Sequence, residues 1–249
     1  MLKPVRALYD DIRSTFGYMQ RPTLVALLVA PILLTWLEFC SGRQTFTRWF
    51  GDTPFGASSD IDVHLLGWEW WSLNVLVAFV VLPVLLIKFV LREDLGNYGL
   101  RRGDVVKHAA IGFSLFLLNL PFVIMAARTA SFQHMYPLFT EARLSVALLL
   151  QWWVVYLPMF FAVEFFFRGY LLFSLERQLG PAAIFVCTVP YCMVHFHKPM
   201  AEAFAAIVAG IVLGYVALRT RCIWSGVLVH LMVAITMDLL AIFAFAAPV

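Results

Sequence analysis

The chain has 249 residues, 62% of them hydrophobic and only 13% charged, with a mean hydropathy of +0.86. A water-soluble domain is about half apolar and about a quarter charged, and one of this length cannot hide so much apolar surface, so lipid is the expected solvent for its outside. A net charge of +3, scattered along the chain, excludes a nucleic-acid binder; Cys40, Cys187, Cys192 and Cys222 form no CxxC pair and read as small hydrophobes rather than a disulfide framework.

Residues 1–21 mix charged and apolar side chains and read as an amphipathic segment on the membrane surface, followed by a single transmembrane domain over 22–249. No short apolar run with a small-residue cleavage site follows the first charges, so the first apolar run is expected to stay as an anchor. Span one covers about Thr23 to Phe39, and residues 40–68 form the longest loop. Span two runs from about Trp71 to Leu91, with Lys88 placed to snorkel. After a charged stretch from Arg92 to Lys107, span three covers Ala109 to Ala127.

Residues 144–178 are too long for one crossing: at about 1.5 Å per residue they exceed a hydrocarbon core of about 30 Å. Either the helix breaks at Pro158 and reverses, or it starts outside the membrane. Trp152, Trp153 and Tyr156 favour the second option if they form an interfacial aromatic belt. The spanning stretch is then about Val154 to Phe173, with Glu164 near mid-depth. Short spans over Ala182–Phe196 and Ala203–Leu218 flank a turn at Pro199, and Gly210 and Gly214 make a GxxxG packing face. The last apolar stretch runs from Ile223 to Val249. The continuous apolar runs exclude a β-barrel and predict an all-α, polytopic bundle of about seven to eight transmembrane helices. With seven spans, 12 of the 18 Lys and Arg residues fall on the N-terminal side and five on the other, which predicts a cytoplasmic N-terminus.

Ionisable groups inside apolar runs are the functional candidates, because hydrocarbon disfavours them. They are Glu164, Arg168, His195, His230 and Asp238. Glu164 and Arg168, four apart, share a helix face. A carboxylate and two imidazoles held dry are the groups needed to activate water.

These residues lie in an ordered set of motifs. Val163-Glu164-Phe165-Phe166-Phe167-Arg168-Gly169 resembles the EExxxRG motif of the CAAX protease and bacteriocin-processing family of intramembrane endopeptidases. Tyr191-Cys192-Met193-Val194-His195 is similar to its FxxxH motif, and Trp224 followed by His230 resembles its HxxxN or HxxxD motif. Ala209 to Gly214 with Leu218-Arg219-Thr220, and the loop Leu100-Arg101-Arg102-Gly103, fit segments that accompany them. The resemblance covers about 150–240, with a protease-like core over about 144–249.

The resemblance implies a membrane-embedded protease that hydrolyses a peptide bond of a membrane-associated protein or peptide, in a bacterial plasma membrane. Glu164 would be the general base, His195 would hold the water, His230 would donate to the oxyanion and Arg168 would orient Glu164. No cofactor is required on this reading; a divalent metal such as Zn²⁺, held by Glu164, His195 and His230, is the alternative chemistry. The chain departs from the pattern twice: Val163 replaces the first Glu, and Ala234 replaces the Asn or Asp four residues after His230. Asp238, His197 and Glu202 are candidate substitutes. A rival reading is a non-catalytic relative acting as a membrane binding or immunity protein; a third is an ion or proton transporter.

Overall fold

A computed structural model describes residues 2–51 and 59–244 of the chain. Residues 52–58 of the predicted 40–68 loop, and the last five residues of the final apolar stretch, lie outside them. The described residues form helices joined by short turns, with no strand among them.

α1 (Leu2–Phe16) presents Val5, Leu8, Tyr9, Ile12 and Phe16 outward. α2 (Arg21–Cys40) starts with Pro22 in its first turn, where a missing N–H is harmless. α3 (Arg43–Phe50) is a short helix inside the stretch expected to be loop. α4 (Asp60–Leu91) is a 32-residue helix that begins well before the expected Trp71. The reason is local: the Ser59 hydroxyl accepts from the Asp62 N–H at 3.2 Å, and Asp60 and Asp62 sit at the positive end of the helix dipole. α5 (Val105–Ala127) is capped by Asp104, which accepts from the Lys107 N–H at 3.0 Å. α6 (Ala130–Met135) leads to a long helix, α7 (146–179), built from the pieces Val146–Tyr156, Pro158–Glu164, Phe165–Leu171 and Leu172–Leu179. α8 (Ala183–Met193), α9 (Met200–Thr220) and α10 (Trp224–Ala244) complete the chain.

Among the described residues, six helical stretches are long and apolar enough to cross a membrane. One of them, Val146–Met193, is 48 residues long and makes two legs. The chain turns at Gly180, which adopts φ +54, and α8 runs back beside α9, with Gly210 against Thr188 and Gly214 against Ile184. That brings the legs to about seven. The GxxxG face is therefore the α8–α9 seam.

Pro158 does not reverse the chain. Leu157 keeps helical angles and its N–H bonds the Trp153 carbonyl at 3.0 Å. An aromatic ladder crosses the proline without a break: Trp152 to Tyr156 at 4.5 Å, then Tyr156 to Phe160 at 4.8 Å. This also corrects the belt assignment. Trp152 and Tyr156 are buried in the core and do not mark the interface.

Two polar ends tie the legs together. At one end Gln20 bonds Gln178 and the Arg177 carbonyl, Arg177 pairs with Glu93 at 2.5 Å, Arg221 pairs with Glu176, and Trp224 Nε1 donates to the Arg101 carbonyl. At the other, His197 meets Glu38 at 3.0 Å, His64 meets Glu141, and Lys198 meets Glu202. Between them lies a core of Phe, Tyr and Trp, including the stacked pair Phe79–Phe166 at 4.2 Å.

Candidate active site

Glu164 and Arg168 sit in the middle of α7, where the winding widens from α to π over Phe165–Leu171. A π turn inserts an extra residue and re-aims the side chains around it, and such turns recur at functional sites. Glu164 and Arg168 are both buried, with Glu164 Oε1 at 3.3 Å from Arg168 Nη1. His230, from α10, brings its Nδ1 to 3.1 Å from the same oxygen and is the more exposed partner, at 15%. These contacts are at ion-pair distance but off the hydrogen-bond line, and among the described residues Glu164 Oε1, Arg168 Nη1 and Nη2, and His230 Nδ1 all lack an aligned partner. Buried polar atoms in native proteins are rarely left so. A charged constellation of this kind is maintained by its surroundings.

Gly226 is one of those surroundings. It lies one turn before His230, and a Cβ there would stand 2.0 Å from Glu164 Oε2. The carboxylate therefore lies directly on the backbone of α10. Gly169, the residue after Arg168, has the same role: a Cβ there would meet the Tyr98 carbonyl oxygen at 2.7 Å. The charged upstream loop thus docks on α7, and the Ile223 N–H bonds the Gly99 carbonyl at 3.2 Å. Gly169 closes the EExxxRG-like stretch read from the sequence, whereas Gly226 was not identified there. The available signal for Gly226 was its spacing of four from His230, which places it on the same helix face.

Tyr191, which opens the FxxxH-like stretch, was given no role of its own from the sequence. Its hydroxyl lies 2.9 Å from His230 Nε2 and its carbonyl oxygen 2.8 Å from His195 Nδ1. Its ring carries the Arg168 guanidinium at 3.8 Å and meets the His195 ring edge-on at 4.8 Å. Phe160 stacks on the opposite partner, His230, at 5.8 Å. Glu164, Arg168 and His230 are thus in direct contact, and His195 joins them through Tyr191.

His230 has its Nδ1 toward Glu164 at 3.1 Å and its Nε2 at the Tyr191 hydroxyl at 2.9 Å. Val163 and Ala234 occupy the two departures from the motif; Val163 packs against the core and Ala234 is buried in it.

Asp238 lies elsewhere. Its Oδ2 accepts from both Trp152 Nε1 and Trp153 Nε1, each at 3.0 Å, and its polar partners among the described residues include neither His230 nor Glu164. His197 is engaged with Glu38, and Glu202 with Lys198 at 3.3 Å and the Tyr136 hydroxyl at 2.6 Å. The Lys198–Glu202 pair is half-buried, not a free surface pair. These three carboxyl and imidazole groups do not replace the missing motif residues by contact.

A Zn²⁺ site on Glu164, His195 and His230 fits these residues poorly. The Glu164 oxygen that faces His230 also faces a guanidinium, which opposes a divalent cation. His230 Nε2 is taken by Tyr191, and no group of three or more potential ligands clusters among the described residues.

Residues 145–236 match the family described as type II CAAX prenyl endopeptidase, Rce1-like. No curated protein and no solved structure matches the chain.

Proposed function

We propose, for a chain whose residues 145–236 match the type II CAAX prenyl endopeptidase Rce1-like family, that it is an intramembrane endopeptidase acting on a membrane-associated protein or peptide. The observation that carries this reading is the buried Glu164 carboxylate between Arg168 and His230, with a second imidazole one residue away. The His195 Nδ1 faces a carbonyl, which only accepts, so Nδ1 carries the proton and Nε2 keeps a lone pair. That lone pair accepts one O–H of a water. The other proton passes to Glu164 as the water oxygen attacks the peptide carbonyl carbon. Collapse of the tetrahedral intermediate breaks the C–N bond, and the leaving amine takes the proton from Glu164. Polarising the carbonyl falls to Arg168, whose Nη2 has no hydrogen-bond partner among the described residues. The reaction needs no metal on this reading.

The N-terminus is proposed to face the cytoplasm of a bacterial cell, from the positive-inside rule. A second reading is a catalytically impaired relative that binds a membrane peptide. It is favoured by Val163 at the position of the first motif Glu and by the engagement of both His230 nitrogens.

The test is hydrolysis of a quenched fluorescent peptide, prenylated at a C-terminal CAAX box or carrying a transmembrane anchor, by protein in lipid vesicles. Wild type should cleave one of them, and Glu164→Gln should lower kcat by about 10²–10³, the scale for losing one prepositioned group. Equal turnover by Glu164→Gln overturns the mechanism. Binding of both peptides without cleavage by wild type supports the second reading.

A further inference from the structure

Tyr191 touches every other polar member of the site except Glu164. Its hydroxyl faces His230, its carbonyl faces His195, and its ring supports Arg168. It is almost completely buried, so these contacts are not shared with bulk solvent. It also stands where the FxxxH motif has Phe, so the hydroxyl is an addition of this chain.

Hydrogen counting fixes who donates. A carboxylate can only accept. His230 Nδ1 lies 3.1 Å from Glu164 Oε1, off the hydrogen-bond line, and at that distance the carboxylate charge favours a proton on Nδ1 over a lone pair. In the neutral ring Nε2 is then an acceptor, and the Tyr191 O–H donates to it. His195 is held the same way round by the Tyr191 carbonyl, so one residue sets the proton position on both rings. Four residues beyond His230, where the motif has a side chain that can hydrogen-bond, this chain has the methyl of Ala234.

We propose that Tyr191 is a positioning residue: its hydroxyl locks His230 in the Nδ1–H form against Glu164, while its carbonyl holds His195 with a lone pair at Nε2. The assignment of hydrogens stands on geometry alone; its effect on turnover rests on the endopeptidase reading. Removing an orienting partner of a functional imidazole commonly lowers activity about 10–100-fold.

The experiment is nitrogen-15 NMR of histidine-labelled protein in lipid nanodiscs, with His195 and His230 assigned from His195→Gln and His230→Gln. Wild type should show Nδ1–H on both rings. Tyr191→Phe keeps the ring under Arg168 and the backbone carbonyl. It should therefore move the His230 Nε2 signal to that of an unbonded nitrogen or a mixed tautomer, and leave His195 unchanged. In the hydrolysis assay the same variant should lower kcat about 10–100-fold with KM unchanged. A wild-type His230 protonated at Nε2, or a His230 spectrum indifferent to Tyr191→Phe, overturns the proposal. Wild-type protein that cleaves no peptide defeats the endopeptidase reading, and the NMR result then still decides the role of Tyr191.

Discussion

A single hydrogen atom at Gly226 is what allows Glu164 to lie against α10. Any side chain there would place its Cβ 2.0 Å from a carboxylate oxygen, far inside van der Waals contact, and overpacking of a dense interior typically costs about 1–3 kcal/mol. Gly226→Ala should therefore lower the thermal unfolding midpoint in detergent and reduce turnover. Gly42→Ala, where a new Cβ meets nothing within 4 Å, should do neither; matching behaviour of the two variants would refute the close approach. Asp238 makes a contrasting residue. Two indole donors hold its Oδ2, while its Oδ1 has no partner among the described residues. Asp238→Asn keeps an acceptor and should leave turnover within a few-fold of wild type. Asp238→Leu should destabilise the protein by about 1–3 kcal/mol for each donor left unpaired, read by thermal unfolding. Loss of turnover in a stable Asp238→Asn protein would return Asp238 to the chemistry. At this scale, Glu164, Arg168 and His230 were legible because charge in an apolar run stands out. Gly226 and the role of Tyr191 were not, since a missing methyl and one hydroxyl look ordinary among helix-packing residues until three dimensions put them beside the carboxylate.

Helices show the same division between pattern and placement. The apolar runs predicted the legs, and the GxxxG spacing predicted a close seam, which α8 and α9 form at Thr188 and Ile184. The π winding of 165–171 left no mark in the sequence, because it depends on what packs around α7 rather than on local propensity. Trp152 and Trp153 were misassigned for a related reason: an indole seeks a polar partner for its N–H, and here the partner is a buried Asp238, not the headgroup region. At the opposite end of α7, Arg177 grips Glu93 through two guanidinium nitrogens, at 2.8 and 2.5 Å, and joins α7 to the loop after α4. The hydrogen bonds from Arg177 hold the Glu93 carboxyl below its ordinary value near 4.5, against an opposing push from burial. A carboxyl whose value is lower in the folded protein contributes stability above its unfolded value, and that contribution is lost as pH falls through the folded value. Thermal stability in detergent should therefore decline as pH drops below about 4.5. Glu93→Gln should be less stable at neutral pH and show a shallower decline; an unchanged acid profile in that variant would remove this latch from the account.

Over the whole molecule, the polar contacts sort the chain into two ends, and this gives physical meaning to the distribution of Lys and Arg. Gln20, Glu93, Arg101, Arg177 and Arg221 all make contacts at one end, while Glu38, His64, Tyr136, His197 and Glu202 make theirs at the other. α2 leaves the first end, the legs alternate, and α10 begins at the first end beside Arg101 and finishes at the second. The basic segments around 1–21, 88–107, 174–181 and 219–221 therefore share one side, and they contain 12 of the 18 Lys and Arg residues. An anionic cytoplasmic leaflet attracts such segments, and short loops with excess Lys and Arg are retained on that side. The expected outcome is a cytoplasmic N-terminus and an outward-facing 197–202 turn. Single cysteines introduced as Arg13→Cys and Arg48→Cys, both at exposed positions, report on opposite ends once the four native cysteines are replaced by Ala or Ser. In intact cells a membrane-impermeant thiol reagent should label position 48 at once and position 13 only after permeabilisation. The reverse pattern would mean that the charge-rich end faces outward. It would also move the His195 end of the site to the cytoplasmic side.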